Sequence, residues 1–109
     1  MQRTSFDRWS CPTQKAVELI GDKWTLFLIR EFIFGQKIMG FNEMLRALKP
    51  ISSRTLALKL QKLEGYQILR REVLNKKPLR VQYSLTEKGK SLENCMKDLA
   101  QWYKNNHHS

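Results

Sequence analysis

Two short helical patterns separated by a proline turn, followed at once by two strand-like runs, set the tightest limit on what this chain can fold into. In FNEMLRAL, residues 41 to 48, Phe41, Met44, Leu45 and Leu48 recur at the spacing of one helix face. Lys49-Pro50 stops that helix, because proline brings no amide and pushes its predecessor out of helical backbone. Ile51 turns the chain, and Ser52 offers a hydroxyl to the orphan amides of a second helix that runs to about Glu64. Leu56, Leu60 and Leu63 give this second helix one buried side. Beyond it, ILRREVL at 68 to 74 is β-competent and NKKPL is a turn signal with Lys76 and Lys77 at its tip. RVQYSL at 80 to 85 then alternates Val81, Tyr83 and Leu85 with Arg80, Gln82 and Ser84.

The flanks are helical. Pro12 suits a first helical turn, where its missing N–H is no loss, and that helix is predicted to reach Ile20 and end at Gly21. Lys23 to Phe34 carries Trp24, Phe27, Leu28, Phe32 and more apolar residues than one stripe requires, which predicts a helix buried at the centre. Residues 35 to 40 read as a break. Thr86 is placed to cap one long last helix to about Asn105, with Leu92, Met96, Leu99 and Tyr103 on one stripe and Cys95 and Trp102 beside it. A chain of 109 residues holds one domain with a real core and not two ordinary ones. The expectation is a mainly α domain with a small β-hairpin wing, a winged helix-turn-helix, over residues 1 to 109 with its core at about 9 to 104.

Charge narrows the partners. Lys and Arg number 20 against 10 Asp and Glu, a surplus that repels itself and attracts polyanions such as nucleic acid; the plainer alternative is that it serves solubility. No apolar run approaches a membrane span, since LFLIREFIF at 26 to 34 is broken by Arg30 and Glu31, so no membrane partner is expected. MQRTSFDRWSCP has no signal-peptide core, which makes a cytoplasmic protein the expectation. Cys11 and Cys95 are too few for a disulfide framework and should rest as thiols. No CxxC or Cys/His cluster implies zinc, and His107 and His108 sit at a polar end; no cofactor is expected. There is no Gly-rich phosphate loop, HExxH or GxSxG, and Glu18, Glu31, Glu43 and Glu64 are scattered over helical surfaces, so no catalytic site is read.

Stepping about 100° per residue from the three buried leucines puts Arg54, Leu58 and Gln61 near the opposite pole, with Thr55, Ala57 and Lys59 on the flanks. Such a helix fits a major groove, where Arg reads guanine, Gln reads adenine and an aliphatic side chain meets the thymine methyl. Ser53 and Thr55 near the positive helix start suit phosphate contacts. The candidate DNA-facing set on this helix is Ser52, Ser53, Arg54, Thr55, Ala57, Leu58 and Gln61, against the alternative of a solvated helix with one stray leucine. Lys76, Lys77 and Arg80, with Arg70 or Arg71, form a basic wing for the backbone or minor groove of double-stranded DNA; lysines also merely blunt exposed sheet edges.

The last helix shows a second surface. Its stripe, ending in Trp102 and Tyr103, exceeds what a terminal cap needs, and a second copy of the chain is the expected cover, packing onto its own domain being the alternative. Cys95, Met96, Leu99, Trp102 and Tyr103 are the candidate homodimer contacts, Cys95 packing either there or in the core. A dimer sets two recognition helices about 34 Å apart, or a multiple, and predicts a near-palindromic operator. Cys11 lies at a helix start with Lys15 one turn on and Arg8 nearby, influences that favour thiolate and make it the redox candidate; a lone cysteine is also commonly an inert small hydrophobe. Were Cys11 and Cys95 to meet across a dimer, oxidation would lock the subunits. Competing readings are a non-specific architectural or RNA-binding basic domain, and a protein-interaction adaptor.

The order Cys11-Pro12, IGDKW at 20 to 24, FNEML at 41 to 45, ISSRTL at 51 to 56, LxxLE at 60 to 64 and RVQYSLTEKG at 80 to 89 resembles the HxlR-type winged-helix transcriptional regulators, relatives of the MarR group. The resemblance covers about residues 9 to 104. It implies a bacterial or archaeal dimeric regulator joined through its first and last helices, with the helix from Ser52 in the major groove, and in several members an oxidant-responsive cysteine at the position of Cys11. Departures from the family pattern carry expectations of their own. Gly40 stands where Arg is common, after a break about two residues longer. Gln67 replaces the usual glycine, so Gly65 is expected to take over the helix C-cap; Gln82 replaces a common Glu and should remove a salt bridge.

Overall fold

The computed structural model describes residues 11 to 107. Arg8 lies outside them. Helix α1, Pro12–Ile20, starts after Cys11 with proline in its first turn and stops at Gly21. Helix α2, Lys23–Phe34, begins at Asp22, whose carboxylate accepts the Thr25 amide at 3.1 Å and the Thr25 hydroxyl at 2.6 Å. That pair of bonds explains how Thr25 can be fully buried without an orphan polar atom. Leu28, Ile29, Phe32 and Ile33 bury the rest of α2, which is the central helix the composition predicts.

Helix α3, Phe41–Ala47, and helix α4, Ser53–Gly65, form the helix-turn-helix. Met44 and Leu48 are buried, and Phe41 and Leu45 pack on the core's edge. Strands β2, Leu69–Lys76, and β3, Leu79–Leu85, make the wing. Residues 35 to 40, read from sequence as a break, include a third strand: β1, Ile38–Met39, pairs antiparallel with β3 in the order β1-β3-β2. Two residues are too few to show a period, but Met39 is buried at 2% exposure and closes the sheet against the helices.

The single last helix is also corrected. Thr86 caps only a short α5, Glu87–Lys90, donating its hydroxyl to the Gln67 carbonyl while accepting the Gly89 amide at 3.1 Å. Helix α6, Glu93–Asn106, follows after a tightened turn in which the Leu92 amide reaches back only to the Gly89 carbonyl and Ser91 Oγ donates to the Lys88 carbonyl. Gly89 permits this crossing, because a Cβ there would run into the Ile68 carbonyl at the start of the wing.

The end of α4 differs from the expectation about its glycine. Gly65 stays inside the helix, and the left-handed residue is Gln67, φ 62°. The Gln67 amide donates to Glu64 and the Ile68 amide to Leu63, the paired bonds of a Schellman ending, with buried Ile68 closing over Leu63.

Candidate nucleic-acid interface

Helix α4 is held by its apolar face and by one flank. Leu56, Leu60 and Leu63 are at most 2% exposed. On one flank Lys59 bridges Asp22 at 3.1 Å, and Lys62 donates to the Glu18 carbonyl at 3.0 Å, tying α4 to the α1–α2 corner. Burial pulls the Asp22 carboxyl upward, but the Thr25 hydroxyl and amide and the Lys59 ammonium together outweigh it and hold it below its ordinary value. Two of the chain's many lysines are thus committed to placing the helix.

What remains open is the predicted row. Arg54, Ala57, Leu58 and Gln61 are all exposed, Leu58 at 54%. Ser52 is the N-cap, its Oγ accepting the Thr55 amide at 3.0 Å and donating to Thr55 Oγ1 at 2.9 Å. These two hydroxyls are therefore engaged with each other, whereas Ser53 is exposed beside them. The local cause is plain: Pro50 ends α3, Ile51 anchors in the core at 8% exposure, and Ser52 starts α4 two residues later.

In the wing, Arg71 lies opposite Tyr83 and Val73 opposite Val81, while Arg70 lies opposite Ser84 and Glu72 opposite Gln82. The register separates the two arginines that sequence leaves as alternatives. Arg71 shares an open groove with Arg80 and the start of α3, and Arg70 faces the other way, into a cleft with Lys37 and Lys90. Gln82 does not leave a gap; its Nε2 donates to Glu72 Oε1 at 3.3 Å, where a glutamate would face a like charge. Lys76, at the end of β2, Lys77, in the turn, and Arg80 are exposed at the tip, and the Lys77 amide donates to Asn75 Oδ1 at 3.3 Å. Leu74 and Leu79 are exposed at the same tip; Leu79 follows the turn directly, opposite Lys76, whereas Leu74 is the extra residue at the register shift between Val73 and Asn75, which no sequence pattern marks.

The other candidates lie away from this face. Cys11 is half-buried at the start of α1, its carbonyl accepting the Lys15 amide. Cys95 is exposed on α6, not packed in the core. Leu92 and Met96 touch the core, but Leu99, Trp102 and Tyr103 stand open. Among the described residues no helix is long and apolar enough to cross a membrane.

The family model for HxlR-like helix-turn-helix proteins matches residues 19 to 109. The chain belongs to that family. It is 38% identical over 96 residues to YybR of Bacillus subtilis, an HTH-type transcriptional regulator, covering 88% of this chain and 75% of that protein. To sll1512, an HTH-type transcriptional regulator of Synechocystis, it is 40% identical over 83 residues, covering 76% of this chain but only 60% of the relative's length. The redox regulator HypR in its reduced form superposes with a TM-score of 0.78 at 37% identity, over 87% of this chain and 92% of that one. This HxlR-like chain is therefore a helix-turn-helix transcription regulator and not an enzyme, and the family implies DNA binding.

Proposed function

We propose that the chain works in the cytoplasm as a homodimeric, sequence-specific DNA-binding regulator, with α4 in the major groove and the wing on the backbone or minor groove of a near-palindromic operator. One observation carries this reading. The fold uses the apolar face of α4 and its Lys59–Lys62 flank, and the row Arg54, Leu58, Gln61, with Ala57 beside it, stands open in a domain with ten surplus positive charges. Arg54 and Gln61 read bases, Leu58 meets thymine methyls, Ser52, Ser53, Thr55 and Ala57 line the groove wall, and Lys76, Lys77 and Arg80 hold phosphates. The dimer forms through α1 and α6, where Val17, Leu99, Trp102 and Tyr103 are each more than half exposed.

Mobility shift on the protein's own promoter region tests it. Arg54→Ala with Leu58→Ala should abolish selective binding, whereas Lys76→Ala and Lys77→Ala should weaken all sequences alike and lower the salt slope by roughly one unit per lost phosphate contact. Equal binding and selectivity in the first double variant sinks the α4 assignment. Random-sequence selection that returns no palindrome favours an architectural or RNA-binding domain, and no salt-dependent DNA binding at all favours an adaptor.

A redox response at Cys11 is supported by its position at the start of α1 and by the likeness to HypR, a redox regulator. Two thiols, Cys11 and Cys95 of opposite subunits, would give two protons and two electrons to an oxidant such as diamide and form one disulfide. Non-reducing gels and diamide titration of DNA binding decide it; an unchanged oxidant response in Cys11→Ser excludes this thiol.

A further inference from the structure

The apolar ladder of the sheet continues past the core that needs it. Along one face of β3, Leu85 is buried, Tyr83 and Val81 are half-buried, and Leu79 is 65% exposed. Across from them Val73 is 41% exposed, and Leu74, at the register shift where β2 bulges, is 51% exposed. Leu74 and Leu79 line the outer part of an open groove of about 510 Å³, with Arg71 and Arg80 on its walls and the start of α3 facing it. Lys76 pairs directly with Leu79, and Lys77 follows in the turn.

A wing that only attracted phosphates would need the cations and none of these leucines, which in isolation disfavour an exposed tip. Pairing of β2 with the same strand of a second copy is opposed twice over: the bulge breaks the flat edge, and the tip's own cations repel their counterparts. The surface that fits an apolar ridge between cations is one with apolar walls between two rows of anions. The minor groove of duplex DNA is such a surface, its deoxyribose walls lying between the phosphates of both strands, and apolar wedges are a known mode of entry into it.

We propose that the wing tip is an apolar plug for the minor groove, with Leu79 and Leu74 pressed on the sugar walls and Lys76, Lys77 and Arg80 on the flanking phosphates. This rests on the DNA-binding reading above and adds the residues that make the contact. A leucine releases no counterions, so its loss lowers affinity without changing the dependence on salt, unlike loss of a lysine.

The test is fluorescence anisotropy over a salt series, on a duplex that the unchanged protein selects from a random-sequence library. Leu79→Ser should bind roughly tenfold more weakly at every salt concentration with the slope of the unchanged protein. Leu79→Met, which keeps the apolar volume, should stay within about twofold. Prior addition of netropsin, which fills A·T minor grooves, should compete with the unchanged protein. Leu79 is exposed, so melting should not move; if it does, Leu74→Ser reads the same contact. Equal affinity of the serine variant, or a loss accompanied by a lower salt slope, overturns the plug and leaves the DNA-binding reading standing. An unchanged protein that selects and binds no duplex at any salt overturns both.

Discussion

In α4 the leucines of the apolar stripe are at most 2% exposed, whereas in α6 Leu99, Trp102 and Tyr103 stand at 55%, 60% and 58%. The two helices have similar lengths, 13 and 14 residues, and comparable amphipathic patterning. What separates them is tying. Helix α4 is capped by Ser52, bridged to Asp22 through Lys59 and closed by a Schellman ending; α6 leaves the core after Met96 and continues with contacts local to itself, such as Lys97 to Glu93 at 2.8 Å and the stacked pair Tyr103 and His107. A period in the sequence announces that a helix face needs cover and says nothing of whether the same chain provides it.

The largest effect separating the two helices is a core truncation. Leu60→Ala should cost about 2–5 kcal/mol by denaturant midpoint, because it empties a closed site. Trp102→Ala should leave the midpoint of highly diluted protein nearly unchanged and instead weaken self-association, read by sedimentation and by loss of any dependence of melting on protein concentration. A penalty in dilute protein as large as that of Leu60→Ala would mean α6 is packed on its own domain, and the comparison would collapse.

A smaller effect concerns the flank of α4. Asp22→Ala removes an N-cap and the partner of Lys59, and should cost about 0.5–2 kcal/mol near neutral pH. The folded carboxyl sits below its ordinary 3.8, so the unfolded chain takes up its proton first as pH falls. The stabilisation is therefore complete above that value and fades as pH drops through the lower, folded one. Melting curves of the parent and Asp22→Ala should converge in that acid window; a gap that stays constant through it would show that the ionised carboxylate is not what ties α4.

These ties also explain which features were legible in the sequence. The faces of α4 were readable because each residue's angle follows from its number, so Leu58 and Arg54 fall outside whenever Leu56 and Leu60 fall inside. Arg70 and Arg71 were not separable, nor was the place of Leu74 visible, because strand faces depend on register and a bulge at Leu74 resets the pairing beyond it, whereas Leu79 extends the β3 alternation of Val81, Tyr83 and Leu85 that the sequence shows. Strand β1 depends on a partner some forty-five residues away, Ser84 opposite Ile38, which no local pattern encodes. The turn between α5 and α6 was hidden because Ser91 and Leu92 are tolerable helix residues; the close approach of Gly89 to the Ile68 carbonyl decides the path there.

The smallest effect tests how α4 ends. Gln67 holds φ 62°, a conformation that costs a residue with a Cβ about 1–2 kcal/mol and glycine almost none. Glycine gives back about 0.5–1 kcal/mol through its freer unfolded chain, so Gln67→Gly should stabilise by roughly 0.5–1 kcal/mol, a rise of a few degrees in melting temperature. Gly65 is the internal control. It lies within the helix with nothing inside 4 Å of an added Cβ, so Gly65→Ala should also stabilise, by about 0.5–1 kcal/mol. If Gly65 were itself the left-handed cap, alanine there would destabilise and Gln67→Gly would bring no gain. The sign of the Gly65→Ala change therefore locates the last turn of the DNA-facing helix, and with it the junction through which Ile68 and the wing are set relative to α4.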